Sequence, residues 1–560
     1  MDIKFSMKKK IGIIVEGYIC SKQIYDLVLL SKEAINFEIT HLVINTYDEK
    51  DQSKFCKVLN LIRDKGIIYI ISSILFKIIF EVEKRLFLTR NIDLKFFQKC
   101  DLRDFNLDEI FISPNISKNK VVYRYDQKYI NQIRYAQLDL LIRAGNGILK
   151  GEILNSCPKG IVSFHHGNNH FNRGGPPGFW EVFLKQDTTG FIIQRLTDEL
   201  DGGDILFRGE IPTLFNYVSN LVALQRVANP YMVDVIDDLF SVEPRLTIEE
   251  KIPYSYPLYK KPLIKIQIQY LLKTVILVFS KLLNRILRRR YRWSVAYQFT
   301  NNWKDAVLWK SIRIKNPINR FLADPFVIHR KGEHYCFLED YDYALCRGRI
   351  SVYKINMQGY EDLGLALNED FHLSYPFIFE FDGEIYMCPE THEANDVRIY
   401  KCIEFPLDWK LEKIILKNIK AADTNIFQKN GKWWLMTSVA KSNEADCSST
   451  LHIYMSDNPI TDEWVPHKFN PVIFDPRRAR NAGLIIENNE IFRVTQRQGF
   501  DSYGVELAIS RIESINSNEY IEYEECSVYP NYFPDLKGTH TFNFSEGLLV
   551  FDYLKKETTD

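Results

Sequence analysis

Residues 160–209 constrain the fold more than any other part of this chain. They open with the apolar run 161–164, which predicts the end of a buried strand, and continue with three histidines and two asparagines within six residues. Glycines and prolines at 174–178 then exclude regular structure and let the backbone approach a ligand closely. A short helix, a strand at 190–196 and the acidic segment 198–204 follow. The pattern predicts a reactive loop at a strand end, to which carboxylates return.

This arrangement resembles the folate-dependent formyltransferase family, which includes glycinamide ribonucleotide, methionyl-tRNA and sugar-nucleotide formyltransferases. The resemblance depends on a strand that ends in histidine, the strand sequence TGFIIQRLTDEL and the turn LDGGDIL. The family places its catalytic histidine and aspartate 36 residues apart, and His165 and Asp201 have that separation here. The similarity covers residues 8–235 and implies a doubly wound, Rossmann-type α/β domain.

The resemblance also implies a role for each residue at the strand end. His165 would assist proton transfer, and Asp201 would orient and charge that histidine. Ser163 stands where the family carries an asparagine that stabilises the oxyanion, and a shorter hydroxyl donates only one hydrogen bond. Asn168 or Asn169 in the same loop could supply the missing donor. The alternative is another acyl or glycosyl donor on the same scaffold.

A second loop follows the predicted strand 138–142, at the sheet edge where such folds bind ligands. In the family the matching loop lines the folate pocket, which implies 10-formyltetrahydrofolate as the cofactor; a plain Gly-rich turn is the alternative. The cofactor-binding candidates are Arg143, Gly145, Asn146 and Gly147. The substrate-binding candidates in the histidine loop are His166, Asn169 and Arg173, the last as a cation for the phosphate of a nucleotide-linked sugar.

Composition argues against several other classes of function. Lysine plus arginine equals aspartate plus glutamate, at 72 each, which disfavours a protein that wraps nucleic acid. The opening strand 10–16, helix 20–32 and strand 38–45 lack the GxGxxG of a dinucleotide site. The histidine loop lacks metal-ligand spacing, so we expect no metal. Ten cysteines without a CxxC pair, and no visible secretion signal, predict a reduced, cytoplasmic protein.

Two apolar helical segments are also predicted. Residues 54–90 carry a charge every few positions, which favours a core helix over a membrane span. Residues 241–295 form a linker whose segment 262–292 predicts a basic amphipathic helix, with an uncharged run at 274–280 that is too short to cross a bilayer. This helix either packs on neighbouring domains or lies peripherally on an anionic membrane surface, at the inner face of the membrane.

The last 265 residues repeat a strand motif five times, at intervals of 51, 48, 59 and 59 residues. The repeated cores are LADPFVI, LSYPFIF, AADTNIF, RNAGLII and GTHTFNF. Five such units predict an all-β five-bladed propeller in residues 296–560. The ADPF sequence with a following FLED resembles arabinanase- and levansucrase-type glycoside hydrolases and the propeller part of some glycosyltransferases.

The repeats place six polar side chains towards the predicted central channel: Asp324, Glu339, Glu390, Asp423, Arg480 and His540. Of these, Asp324, Glu390 and Asp423 are the substrate-binding candidates. Paired carboxylates would suit glycoside hydrolysis, although each acid could equally cap a turn. We favour a propeller that recognises glycan without catalysing a reaction.

Together the two halves predict an enzyme of polysaccharide or glycolipid biosynthesis, with a formyltransferase-like domain in residues 1–240. The predicted reaction is N-formyl transfer from 10-formyltetrahydrofolate to an amino sugar on a nucleotide or lipid carrier. Two alternatives stay open: a glycan-directed transferase with a different donor, and a glycan-binding protein whose first half is inactive. The sugar, its carrier and the oligomeric state are also open.

Overall fold

The computed structural model describes residues 7–47, 66–118, 121–199, 202–245, 249, 254, 256, 258–441 and 446–558. The chain divides into two compact units, Met1–Ile276 and Leu277–Asp560, which we call unit 1 and unit 2. Their boundary lies inside the helix of the predicted linker 241–295. Each unit has its own buried apolar core.

Unit 1 is built on a largely parallel sheet. Its described strands are β1 (Lys9–Val15), β2 (Ile19–Ser21), β3 (Phe37–Asn45), β4 (Lys99–Asp101), β5 (Asp108–Ile112), β6 (Pro114–Ile116), β7 (Val122–Tyr125), β8 (Leu140–Arg143), β9 (Ile148–Leu149), β10 (Ile161–His165), β11 (Thr188–Arg195) and β12 (Asp204–Pro212). Seven form one sheet in the order β12-β11-β10-β8-β1-β3-β5. The five strands from β10 to β5 are parallel, and β11 and β12 are antiparallel. This is the doubly wound arrangement that the apolar runs predict.

The strand order creates a switch point between β1 and β8. The chain proceeds from β1 to β3 and β5 on one side, and later places β8 and β10 on the other side of β1. Connections that leave β1 and β8 therefore diverge, and they open a crevice at the carboxyl ends of these strands. Ligands of such sheets bind in this crevice.

Seven helices accompany the described strands. They are α1 (Lys22–Leu30), α2 (Ile67–Phe87), α3 (Asn91–Lys95), α4 (Gln127–Tyr135), α5 (Phe179–Leu184), α6 (Tyr217–Leu239) and α7 (Ile264–Ile286), which crosses the unit boundary. The predicted helix 20–32 is wrong at its start, because residues 19–21 pair with β4 as a short strand. Helix α6 begins at Tyr217. The side chain of Asn216, directly before it, accepts a hydrogen bond from the Ser219 amide and caps the helix.

The prediction of a core helix at 54–90 is only partly correct. Residues 54–65 lie outside the described residues, and α2 follows at Ile67–Phe87. Its buried residues are confined to one stripe, Ser72, Phe76, Ile79 and Glu83, while the predicted core residue Val82 is exposed. The helix packs on unit 1 along one face, so the aliphatic residues beside that face point to solvent.

Unit 2 contains strands in every part that the structure describes. In chain order they are β13 (Arg289–Phe299), β14 (Ile312–Arg313), β15 (Arg320–Arg330), β16 (Glu333–Asp342), β17 (Arg347–Asn356), β18 (Gly359–Leu367), β19 (Ser374–Phe381), β20 (Glu384–Glu390), β21 (Asp396–Glu404), β22 (Asp408–Lys417), β23 (Lys420–Lys429), β24 (Lys432–Ala440), β25 (Thr450–Ser456), β26 (Val465–Pro466), β27 (Ile473–Phe474), β28 (Asn481–Glu487), β29 (Glu490–Gly499), β30 (Ser502–Asn516), β31 (Glu519–Val528), β32 (Leu536–Gly538), β33 (Phe542–Ser545) and β34 (Leu548–Thr558). They form five antiparallel sheets: β15–β18, β19–β22, β23–β27, β28–β31, and a last sheet that joins β13 and β14 to β32–β34.

One strand from each sheet contributes to an inner ring. Strands β15, β19, β23, β28 and β33 contact one another in this order, and β33 contacts β15. These strands contain or directly follow the five repeated cores. Four of them have a register shift at the matching position of the core. Asp324, Tyr375 and Asp423 have φ between 46° and 51° at these bulges. A bulge with a left-handed residue re-aims side chains, and such backbone often marks a functional site.

Candidate functional sites

The predicted catalytic and cofactor-binding segments begin side by side in unit 1. Strands β8 and β10 are adjacent and parallel, and Arg143 is the register partner of Ser163. The loop after β8 and the histidine loop after β10 therefore leave the same edge of the sheet, next to the switch point. We call residues 143–147, Ser163, His165 and His166 the strand-end site.

Glu16, directly after β1, holds the loop 143–147 in place. Its Oε1 accepts a hydrogen bond from the Asn146 backbone amide at 2.6 Å. The Arg143 guanidinium donates to the carbonyl of Gly147 and closes the loop on itself. Sequence analysis missed Glu16, although a carboxylate at the end of the first buried strand is a signal of the same kind as the predicted residues. The loop is thus a structured turn that presents backbone amides beside a carboxylate.

Gly147 allows this loop to lie against an aromatic ring. Its φ is +76°, and a Cβ at this position would overlap the ring of Tyr123. We expect Gly147→Ala to lower the free energy of unfolding by about 2–4 kcal/mol, from the left-handed backbone and the overlap together. Gly160→Ala is the matched control, because Gly160 has φ +75° but its nearest neighbour would lie 3.5 Å from the new Cβ. Urea denaturation of both variants checks this, and equal losses would contradict it.

The strand-end residues Ser163 and His165 are both buried. The Ser163 hydroxyl donates to the Phe164 carbonyl at 3.2 Å. His165 Nε2 lies 2.7 Å from the carbonyl oxygen of Asn172. A carbonyl can only accept, so the neutral ring carries its proton on Nε2, and Nδ1 is the nitrogen that can take a proton. Asp201 lies outside the described residues, and its partnership with His165 stays a prediction from their spacing.

His166 is fixed as a neutral ring. The Gln23 amide nitrogen lies 3.0 Å from His166 Nε2, and the ring stacks on Phe164 with centroids 5.1 Å apart. Burial, and then the neighbouring His165, lower the pKa of His166 to about 3. His166 therefore stays uncharged at physiological pH, which suits a hydrogen-bonding partner of substrate better than a cation.

The two loop asparagines take part in a network with β12. Asn168 Nδ2 donates to Glu210 Oε1 at 2.8 Å. Arg208 donates to Asn168 Oδ1 at 3.0 Å and to Asn169 Oδ1 at 2.8 Å. Its guanidinium also approaches His170 Nε2 at 3.1 Å. In this structure the Asn168 amide donates to a carboxylate, and the role of Asn168 as oxyanion donor in place of the family asparagine stays a prediction.

The substrate candidate Arg173 follows these asparagines in the same loop. Its Nε donates to the carbonyl of Asn169 at 3.0 Å, and its Nη1 lies 3.3 Å from Glu199 Oε1. The guanidinium carbon lies 4.8 Å from the centroid of the Tyr254 ring. The arginine is therefore orientated by several groups, as a residue that receives an anionic substrate group needs to be.

Unit 2 gathers the six polar side chains that were predicted to face the channel. We call Asp324, Glu339, Glu390, Asp423, Arg480 and His540 the ring cluster. Each lies on, or directly before, a ring strand or on the strand paired with it, and all except the partly exposed Arg480 are buried. The bulges described above bring two of them, Asp324 and Asp423, to the inside of the ring.

One half of the ring cluster is a chain of acid, histidine and acid. Asp552 Oδ2 lies 2.5 Å from His540 Nδ1, and Asp324 Oδ1 lies 3.7 Å from His540 Nε2. Trp293 stacks on the imidazole with centroids 3.7 Å apart. Burial lowers the pKa of His540, but the carboxylates of Asp552 and Asp324 outweigh burial and raise it. Sequence analysis missed Asp552, because it lies on β34, away from the repeated cores.

The distances among these three residues would also suit a metal ion. The hydrogen bonds argue against one. Asp552 Oδ1 already accepts from the backbone amides of His540 and Thr541, and Oδ2 accepts from the amide of Asp324 and faces the imidazole. With its oxygens occupied in this way, Asp552 orients a histidine better than it binds a cation.

The other half of the ring cluster is organised by Arg480. Its Nε lies 2.5 Å from Asp423 Oδ2, and its Nη2 lies 3.3 Å from Glu390 Oε2. His392 Nδ1 lies 2.9 Å from Glu390 Oε1. The Arg480 guanidinium also lies 5.2 Å from the ring centroid of Tyr503. One cation thus joins two buried carboxylates from neighbouring sheets.

Two carboxyl groups of the ring cluster have pKa values that are displaced in opposite directions. Burial, and then the charges of Asp324 and Glu390, raise the pKa of Glu339 well above its ordinary value. Burial also acts to raise the pKa of Glu390, but the hydrogen bond of His392 and the charge of Arg480 outweigh it and hold the pKa at about 2. Two carboxyl groups whose pKa values are displaced in opposite directions suit the donor and the acceptor of a proton.

A cavity of about 630 Å³ lies between the ring strands a few residues beyond the bulges. Phe326, Phe377, Leu484 and Asn543 contribute to its lining. Its volume is in the range of small-molecule sites, and its mixture of rings and amides suits a sugar.

Parts of this chain are similar to known proteins. Residues 305–545 match the family model described as glucosamine inositolphosphorylceramide transferase 1, N-terminal. The protein of that name from Arabidopsis thaliana is 38% identical over 211 residues, which are 37% of this chain and 27% of the relative. The chain thus spans about a quarter of the length of that relative. Sequence analysis likened this region to glycoside hydrolases and to the propeller part of some glycosyltransferases, but it did not identify this transferase family.

Methionyl-tRNA formyltransferase from Bacillus subtilis (strain 168) is 28% identical over 212 residues, 36% of this chain and 62% of that protein. This similarity agrees with the resemblance carried by the TDELDGG segment. Among solved structures, Zg3597, a family 117 glycoside hydrolase from Zobellia galactanivorans, covers 47% of this chain and 90% of its own, with 9% identity and a TM-score of 0.32.

Proposed function

We propose that this chain is a transferase that formylates the amine of an amino sugar on a glycan or glycolipid, and that unit 1 carries the reaction. The observation that carries the proposal is the pairing of Arg143 with Ser163 on adjacent parallel strands. It places the predicted donor loop and the predicted catalytic loop at one edge of the sheet. The similarity to a methionyl-tRNA formyltransferase supports the same reaction class.

The loop 143–147 fits a folate donor because its glycines leave room at the switch point. A Cβ on Gly145 would lie 2.5 Å from Glu16 Oε1, so the backbone of this loop can be approached closely only without side chains. The Asn146 amide and Glu16 already bond each other, so a pterin-type ring would have to use the other backbone groups of the loop. When bound, 10-formyltetrahydrofolate would supply the formyl group.

The residues of the strand-end site would then handle the proton of the amine. As the sugar nitrogen bonds to the formyl carbon and the bond to the folate nitrogen breaks, His165 Nδ1 takes the proton that the amine loses. The proton can then return to the leaving folate nitrogen, which balances the reaction. Ser163 stands where the family carries its oxyanion-stabilising asparagine, but its one hydroxyl hydrogen is donated to the Phe164 carbonyl and would have to turn towards the oxyanion, which predicts a slow enzyme.

Unit 2 would hold the glycan. The name of these relatives contains an amino sugar, glucosamine, and a lipid-linked inositol phosphate. We infer that the ring of five sheets is a five-bladed propeller, and that its buried acids receive hydroxyl groups of such a glycan. Asp324, Glu390 and Asp423 are the residues that we expect to contact it.

The test is a transfer assay on the purified chain with 10-formyltetrahydrofolate and two acceptors, an amino-sugar nucleotide and a glucosaminyl inositol phospholipid. We expect a formylated product, and we expect Ser163→Asn to raise kcat about tenfold by restoring an amide donor. Ser163→Ala is the control of similar size, and it should lower kcat. Absence of product with both wild type and Ser163→Asn would exclude the formyl donor.

A second candidate is glycosyl transfer or hydrolysis in unit 2. The specific observation is the opposite displacement of the pKa values of Glu339 and Glu390. The same assay without folate distinguishes the two, because release or exchange of the sugar in that arm would assign the chemistry to the ring cluster.

A further inference from the structure

Helix α2 exposes an aliphatic stripe beside its buried face. Ile67, Ile71, Ile74, Ile78 and Val82 recur at helical spacing and are each 47% exposed or more. Isolated apolar residues on a surface need no explanation, but a continuous stripe over four turns does. Lys77, Glu81 and Arg85 each follow a member of the stripe by three residues, so charges border its second half, whereas residues 67–76 carry none.

Helix α7 repeats the pattern. Gln267, Tyr270 and Thr274 form its buried face. Within unit 1, the opposite face carries the exposed apolar residues Ile268, Leu272, Val275 and Ile276. The Lys273 amine donates to the Phe183 carbonyl at 2.9 Å, so this charge points to the inner side of the helix. The outer side of α7 is left apolar.

The two helices lie next to each other in unit 1 although they are far apart in sequence. The Ser72 hydroxyl accepts from the Ile264 amide at 3.2 Å, and Gln267 donates to the Ser72 carbonyl at 2.8 Å. Eleven residues after Ser72 on α2, the buried Glu83 accepts a hydrogen bond from Tyr270 of α7. The two helices therefore contact each other within unit 1. We call the outward aliphatic residues of α2 and α7 the two-helix face.

Every charged residue in the segment that contains α7 is a lysine or an arginine. Residues 258–292 contain ten lysines and arginines and no aspartate or glutamate, in a chain whose formal net charge is zero. The cations include Lys265 within unit 1 and the run of arginines at 288–290. Aliphatic side chains flanked by cations match the apolar interior and the anionic headgroups of a bilayer surface.

We propose that the two-helix face docks unit 1 on an anionic lipid surface, with α2 and α7 lying in the headgroup region. Among the described helices, α7 is long and apolar enough to cross a membrane by length and composition. Its inner face is packed against unit 1, however, so lipid cannot surround it, and a surface position satisfies both faces. A second copy of the chain is the weaker occupant, because two such faces would bring like charges together. The inference does not depend on the acceptor proposed above.

Co-sedimentation with vesicles of phosphatidylcholine and phosphatidylglycerol, free of glycolipid, tests the proposal on the full chain. We expect the wild type to bind, and each of the pairs Ile74→Glu with Ile78→Glu, and Leu272→Glu with Val275→Glu, to weaken binding about tenfold or more. Ile35→Glu is the matched control, because Ile35 is 77% exposed on unit 1 but lies outside the two-helix face. It should bind like the wild type.

Three outcomes would overturn the proposal. Unchanged binding of the α2 pair would remove α2 from the contact, and equal loss in Ile35→Glu would show a non-specific charge effect. Sedimentation of the free wild type as a dimer, with both pairs monomeric and the wild type absent from vesicles, would assign the face to a second copy. Circular dichroism confirms that each variant is folded, and formyl transfer to a soluble amino-sugar nucleotide should be unchanged in both pairs.

Discussion

Replacement of His165 by asparagine should lower kcat/KM for formyl transfer by about 10²–10⁴-fold, which is the usual contribution of a positioned general base. The orientation of the ring gives the reason. The Asn172 carbonyl holds the proton on Nε2 and leaves Nδ1 as the base. Asparagine fits the same buried position and retains one polar contact, but it cannot accept a proton at neutral pH.

His170→Asn is the matched control, because it makes the same change five residues away in the same loop. His170 Nε2 contacts Arg208 rather than a group of the strand-end site. We expect its kcat/KM to stay close to that of the wild type. Binding of a stable folate analogue should be unchanged in His165→Asn, which separates loss of chemistry from loss of the donor site. Full activity in His165→Asn would exclude this residue as the base.

Replacement of Arg480 by methionine should lower the free energy of unfolding by about 3–5 kcal/mol at pH 7, the usual consequence of leaving buried charge without its partner. Arg480 binds Asp423 and Glu390, both buried, from neighbouring sheets. Methionine fills a similar volume but cannot compensate either carboxylate. Equilibrium denaturation in urea measures the difference.

The contribution of Glu390 to this loss depends on pH, and the direction of its pKa shift fixes the sign. The pKa of Glu390 is depressed to about 2 in the folded chain, so its ionic contribution is present above the ordinary glutamate value and is lost as pH falls towards 2. The difference between wild type and Arg480→Met should therefore shrink in that window. Arg477→Met is the control, because Arg477 is 45% exposed and pairs with Asp475. It should change the free energy of unfolding by less than about 1 kcal/mol. A cost for Arg480→Met that stayed constant with pH would contradict the ionic explanation.

The parts of the fold that sequence analysis predicted depend on local periodicity. Apolar runs of four to seven residues predict buried parallel strands, and these strands are present at β1, β3, β8 and β10. The repeated cores in the second half predict five strand units, and the five ring strands contain or directly follow these cores. These signals lie within a few residues of one another in the chain.

The parts that were missed depend on contacts between distant segments. Asp552 and His392 complete the ring cluster from outside the repeated cores, so no spacing in the sequence points to them. The exposure of α2 was missed for a related reason. Periodic charge shows that a helix has a polar side, but it does not show how much of the apolar side a neighbour will cover. The relation of Asp201 to His165 stays a prediction.

The pairing of β13 with β34 has a consequence for how the protein is made. These strands pair over eleven residues, from Arg289 with Thr558 to Phe299 with Leu548, so the first and last strands of unit 2 belong to one sheet. During synthesis the last sheet of unit 2 cannot form until β34 has left the ribosome, whereas the sheet of unit 1 is complete some 340 residues earlier. Unit 1 can fold while the chain is still growing, and unit 2 must wait for its own end. A nascent chain arrested before β34 should therefore hold a protease-resistant first half and a second half that is still open to digestion.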